Sequence, residues 1–145
     1  MCVRYRSLGL RILFATEGIT IHPIARRPIQ LSWSEIDFVN AIPAAEQIDG
    51  AWRFKDLRMA PGWDILRDHD RFVLDIVVHD RHAIQPRFRW YPVRIVPLWT
   101  ADDRPHTRKG TFELPIRVGC LDTKPTDLLE LIARRCRFEQ LTHSD

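Results

Sequence analysis

The stretch Ile29-Gln30-Leu31-Ser32-Trp33-Ser34-Glu35-Ile36-Asp37-Phe38-Val39 constrains this chain more than any other. Its apolar residues alternate, break step once, and alternate again. Ile29, Leu31 and Trp33 share one face of an extended strand at period two, whereas Ile36 and Phe38 fall on the opposite parity. A bulge near Ser34-Glu35 would return them to the core side, giving one buried strand with a kink. A bulged strand re-aims a sheet, as a small barrel requires.

The neighbouring segments carry the same period. Leu10, Ile12 and Phe14 alternate up to Thr16-Glu17-Gly18, where glycine can take the positive φ of a tight hairpin, and Ile19 and Ile21 begin the return strand. A second turn at Ala25-Arg26-Arg27-Pro28 leads into Ile29, so residues 9 to 40 are expected to form a three-strand antiparallel meander. From 41 to 70 the pattern weakens into a short strand and a long, irregular, loop-rich connection, punctuated by Pro43, Gly50 and Pro61-Gly62, with a helix or a pair of strands as equal alternatives.

Strand signal returns at 71–78, with Phe72, Leu74, Ile76 and Val78 on one face of a central, buried strand. A polar connection over His79 to Pro86 precedes a strand at 87–96, which Pro92 confines to an edge or a bulge. Phe112, Leu114, Ile116 and Val118 alternate cleanly, with Pro115 facing outward at an edge. The ending changes period: Leu128, Leu129, Ile132 and Cys136 follow helical spacing, Pro125 suits a first turn, and Asp127 and Glu130 precede Arg134, Arg135 and Arg137 as the helix dipole favours. One amphipathic helix over 126–139 should close the chain and share a core with Trp33.

At 145 residues, 45% of them apolar, the chain suffices for a single domain over 1–145 that buries roughly two thirds of its unfolded surface. The 22 basic and 19 acidic residues are interspersed, which argues against a specific nucleic-acid partner. Cys2, Cys120 and Cys136 are scattered without metal-binding or disulfide spacing, as suits a reducing cytoplasm. The longest apolar run near the start, Ile12 to Ala15, is too short for a signal-peptide core or a membrane span.

Several strands followed by one helix resemble the bacterial pleckstrin-homology-like (PH-like) domains. The residues that carry the resemblance are Thr16-Glu17-Gly18-Ile19-Thr20-Ile21, Ile29-Gln30-Leu31-Ser32-Trp33-Ser34-Glu35-Ile36, and the strand at 112–118 feeding the helix. The resemblance implies a mainly β (α+β) fold: a bent antiparallel barrel of about seven strands, one end capped by the C-terminal helix. It also implies a scaffold that binds protein segments or lipid headgroups, without a cofactor. The usual headgroup site is a basic first hairpin; here that hairpin is Ala15-Thr16-Glu17-Gly18, so phosphoinositide binding is not expected.

Chemistry-bearing patterns are sparse. Asp68-His69-Asp70 and His79-Asp80-Arg81-His82 flank a strand about 25 Å long, at ~3.3 Å per residue, and cannot easily share one metal. His79 and His82 alone could supply two ligands of a small metal-dependent hydrolase, although histidine and aspartate are ordinary turn residues. Glycine-rich phosphate loops and Gly-x-Ser-x-Gly are absent, and Ser32 and Ser34 flank a tryptophan that belongs to a core. The leading expectation is a non-catalytic interaction domain. Its partner, a protein, would meet an aromatic and arginine surface of Trp52, Trp63, Arg87, Arg89, Trp90 and Trp99. Subunit attachment and toxin neutralisation both fit such a module, and the pattern sets no oligomeric state.

Overall fold

At Ser32 the chain turns a corner, and the expected kinked strand becomes two strands in two different sheets. The computed structural model describes residues 2–5, 10–23, 27–42, 45–54, 71–89, 95–98 and 108–139. Strands β1 (Cys2–Tyr5), β2 (Leu10–Phe14), β3 (Gly18–His22) and β4 (Ile29–Ser32) form a four-stranded antiparallel sheet in sequence order. A 3-10 turn over Trp33–Glu35 then delivers the chain into β5 (Ile36–Ile42), in a second sheet. Strands that switch sheets through a bend make the corners of packed β structures.

The register shift lies between Ile36 and Phe38, with Asp37 as the extra residue. It alters the expected facing. Ile36, Val39 and Ala41 join the main core, whereas Phe38 packs with Val77 and Leu98 on the opposite face of the sheet. The bulge thus sends Phe38 away from the core that Ile36 enters, because one extra residue inverts the parity of everything after it.

The second sheet runs in the order β11 (Arg137–Phe138), β5, β8 (Arg71–Val78), β10 (Gly110–Arg117) and β9 (Val96–Pro97), with β8 at its centre, as its alternation predicts. Phe72, Leu74, Ile76 and Val78 are all buried. Strand β10 (Gly110–Arg117) pairs along the whole length of β8, while β9 (Val96–Pro97) meets only Gly110 and Thr111. Pro115, exposed, therefore sits where β10 has no described neighbour on its other side, the setting a residue without an N–H requires.

Other segments depart from the sequence expectation. The 41–70 region holds a hairpin, β6 (Ala45–Ile48) with β7 (Ala51–Phe54), turned by Asp49 (φ 51°) and Gly50 (φ 81°). Two consecutive positive φ values define the turn that Asp-Gly favours. In place of the polar connection at 79–86, α1 (Arg81–Ile84) continues as a 3-10 turn over Gln85–Phe88; of the strand expected at 87–96, residues 90–94 lie outside the described residues, and Val96 is extended together with Pro97. Asp80 caps α1 by accepting the His82 N–H (3.1 Å), while Ile84 and Phe88 are buried. Gly18 is nearly extended (φ 159°); a side chain is excluded there because a Cβ would collide with the Leu31 carbonyl.

The C-terminal helix α2 (Pro125–Arg135) starts at Pro125 and buries Leu128, Leu129 and Ile132 completely. It stops short of the expected 139. Cys136 turns extended, and Arg137–Phe138 return as β11, parallel to β5. The chain is mainly β with two α-helices among the described residues, and the sheets described are open rather than closed into a barrel. No described helix is long and apolar enough to cross a membrane.

A single core cluster takes residues from both sheets and from α2: Phe14, Ile19, Leu31, Trp33, Leu74, Phe112, Leu128 and Ile132 all belong to it. Trp33 is 8% exposed, and its Nε1 donates to the Ala15 carbonyl (2.9 Å), so burial leaves its polar atom satisfied. Trp33→Ala is expected to cost about 3–5 kcal/mol, and Leu128→Ala or Ile132→Ala about 2–5 kcal/mol, by urea denaturation. Losses below about 1 kcal/mol would separate these residues from a packed core.

Candidate functional site

The corner that carries Trp33 inward sends its flanking polar groups outward. The Trp33 N–H donates to the Glu17 carbonyl (3.3 Å), which fixes how β4 faces β3. Hydrogen-bonded pairs alternate along an antiparallel ladder, so Ile29 and Leu31 direct their main-chain groups to β3, whereas Gln30 and Ser32 direct theirs away from it. That side of β4 has no strand partner among the described residues.

Two side chains occupy it instead. Arg87, on the 3-10 turn after α1, donates from Nη1 to the Gln30 carbonyl (2.8 Å) and forms a fork with Glu35, at 2.6 Å and 2.9 Å. Glu35 in turn accepts the Ser32 N–H at Oε2 (3.3 Å). A donor for Gln30 and an acceptor for Ser32 reproduce what a neighbouring strand would offer. Hydrogen bonding from Arg87 holds the Glu35 carboxyl below its ordinary value, and the same bond raises the guanidinium.

Beside this edge lies a groove of about 1160 Å³, lined by Thr20, Gln30, Ser32, Pro86 and Arg87, with Glu17 and Arg27 also on its wall. Glu17 belongs to the turn before β3 and Arg27 directly precedes Pro28 and β4, so opposite charges mark opposite ends of the β3–β4 ribbon. Both are exposed.

A second polar centre surrounds Asp37, the bulge residue, whose side chain is only 8% exposed. Lys109 Nζ lies 2.7 Å from Oδ2, Arg137 Nη2 3.2 Å from Oδ1, and His79 Nδ1 3.8 Å from Oδ1. Burial pushes the carboxyl up, but the Lys109 ammonium, followed by His79 and Arg137, outweighs it and the net shift is downward. The cluster ties β5 to the residues entering β10 and to β11. On the outer face of the same sheet, buried Asn40 donates to buried Asp75 (3.2 Å).

The residues anticipated from sequence are dispersed. Trp52 packs against the main core and meets Phe138 at a tilt, ring centroids 5.0 Å apart, so it takes part in the fold's own packing. Arg87 lines the groove, and Arg89 is exposed just beyond the same 3-10 turn. Trp63, Trp90, Trp99 and Asp68-His69-Asp70 lie outside the described residues. His79 faces Asp37, and His82 is exposed in the first turn of α1. Among the described residues, no three side chains of His, Cys, Asp and Glu gather as metal ligands would. Ser32 and Ser34 share a hydroxyl hydrogen bond (2.9 Å). Cys136 is half-buried, and burial pushes its thiol up to about 12, which removes its nucleophilic form at neutral pH.

Arg87 is expected in the partner surface and Glu35 lies in the stretch already singled out, but their pairing escapes sequence reading because no local pattern links residues so far apart. Comparison of the chain with protein-family models, curated proteins and solved structures returned no match.

Two outcomes follow from this geometry. Glu35 and Asp37 hold a proton less tightly in the folded chain than at their ordinary values of 4.5 and 3.8, so the unfolded chain takes up more protons in acid. Their stabilisation is complete above those values and is lost as pH falls through the lower folded ones. The urea midpoint should drop between about pH 5 and about pH 3, and Glu35→Gln with Asp37→Asn should flatten that drop; an unchanged slope would show other carboxyls to be responsible. Replacing His79 and His82 together by alanine should shift stability by no more than about 0.5 kcal/mol. Stoichiometric zinc in the wild type, lost in that variant by elemental analysis, would instead mark a metal site.

Proposed function

We propose that this chain is a non-catalytic interaction domain of the bent-sheet, PH-like kind, which takes up an extended segment of a protein partner in the groove beside β4. The observation that carries this reading is the groove itself. Its volume of about 1160 Å³ exceeds the roughly 300–1,000 Å³ usual for small-molecule pockets, and its lining includes β4, whose Gln30 carbonyl and Ser32 N–H are held by Arg87 and Glu35. An extended polypeptide matches such a wall because its own N–H and C=O groups can replace those two side chains on the edge while its side chains settle alternately along the groove.

The PH-like assignment draws support from the meander of β2, β3 and β4, the sheet-changing corner at Trp33 and the helix α2 sharing their core. The partner surface differs from the one anticipated: Arg87 is retained, and Thr20, Gln30 and Ser32 join it, while Trp52 serves the core. A cytoplasmic setting accords with Cys120 and Cys136 as free thiols. Holding a subunit or neutralising a toxin would each use this mode of binding.

A photoreactive amino acid at position 30, on the exposed wall of the groove, should yield discrete polypeptide adducts in the native host. The same probe at Glu130, exposed on α2, should not. Equal adducts from both positions, or none from position 30, would refute the reading.

A further inference from the structure

The groove adjoins a row of cationic side chains that the fold leaves unmatched. In the first sheet Ile12, Ile21 and Ile29 stand opposite one another on the core side and are buried. Their chain neighbours Arg11 and His22 therefore fall on the outer face, where Arg11 is exposed and His22 half-buried. The register sets Arg11 directly opposite His22, and on the other side Arg4 opposite Arg11. Like charges in directly opposed positions weaken a ladder. Among the described residues no carboxylate pairs with Arg11, His22 or Arg27.

The row and the groove meet. Thr20 and Pro23, on either side of His22 along the chain, both line the groove, and Arg27 stands on its wall at the same end of the ribbon. From residue 18 to residue 34 the sequence has no acidic residue. Glu17 lies at the far end of β3, about 16 Å from His22 at ~3.3 Å per residue. One end of the site is thus cationic, and nothing described within the chain answers it.

We propose that the segment taken up in the groove is acidic where it passes Arg27, and that Arg27, Arg11 and His22 hold its carboxylates there. Guanidinium groups match carboxylates with paired N–H donors, and the His22 imidazole offers an N–H in either protonation state. An extended segment carries alternate side chains on one side, so acidic residues at every second position would all face this row. A basic segment would meet like charges and be rejected. The proposal rests on the groove reading and adds the chemistry of the partner.

The test is fluorescence anisotropy of the full chain with a labelled decapeptide of alternating glutamate and threonine. This peptide should bind at least about tenfold more tightly than a lysine–threonine peptide of equal length, and Arg11→Glu or Arg27→Glu should each weaken it by about tenfold. Arg135→Glu makes the same change of net charge on the exposed face of α2 and should leave binding within about twofold, because screening confines such effects to nearby charges. All three positions are exposed, so equal urea midpoints check the fold of each variant. A glutamate peptide that fails to bind, binds no better than the lysine peptide, or loses as much affinity with Arg135→Glu overturns the proposal. Tighter binding of decathymidylate or of phosphatidylserine vesicles through Arg11 and Arg27 also overturns it, by assigning the row to phosphate groups. The photoreactive probe at position 30 separates this proposal from the groove reading: discrete adducts that persist in a chain carrying Arg11→Glu and Arg27→Glu leave the groove in place and remove the acidic partner.

Discussion

The packing of Trp33 is the interaction on which the other elements depend. Its ring closes the corner between two sheets, its main-chain N–H fixes how β4 lies on β3, and its indole N–H is satisfied by Ala15 from the preceding turn. A large aromatic side chain carries enough buried surface to hold a chain in a sharp change of direction, and its hydrogen bond removes the penalty for burying its one polar atom. With that corner set, the apolar faces of both sheets meet across one core, and α2 covers them with Leu128, Leu129 and Ile132. An isolated helix of eleven residues would be marginal in water, so α2 draws its stability from this surface.

The two carboxylates that follow Trp33 act on different parts of the molecule although a single residue separates them. Glu35, in the 3-10 turn, faces the β4 edge and its arginine; Asp37, in the bulge, faces the cations that accompany β10 and β11. Partly exposed ion pairs contribute only about 0–1 kcal/mol each, so neither centre competes with the core in holding the fold together. Their importance lies in position. The Asp37 cluster reaches Arg137 of β11, whose Phe138 also packs against the core, and the Glu35–Arg87 fork covers the edge of β4.

Chemical character follows from this arrangement. Around the groove Arg87 and Glu35 engage one another and the backbone of β4. Under the proposed function, specificity would come from the charges at the two ends of the ribbon, Glu17 and Arg27, and from the small side chains between them.

Much of the scaffold is determined by local sequence. The period-two runs at Leu10–Phe14, Gly18–His22, Arg71–Val78 and Gly110–Arg117 bury alternate residues on one face, and the helical stripe of α2 is legible because the 3.6 period is a property of the chain itself. The interrupted alternation at Ile29–Val39 likewise announces a break, and Asp49-Gly50 encodes its own turn through the backbone freedom of those residues. What local pattern could not settle is how the break is used. Whether Ser34-Glu35 kinks one strand or divides two, and whether Phe38 or Val39 faces the core, depends on which neighbour β5 pairs with; that partner, β8, begins twenty-nine residues beyond its end. The site is less legible still. Arg87 stands 52 residues from Glu35, and no periodicity relates them. Only the folded chain brings that guanidinium to the edge of β4, because a charge pair requires proximity in space and leaves no mark along the sequence.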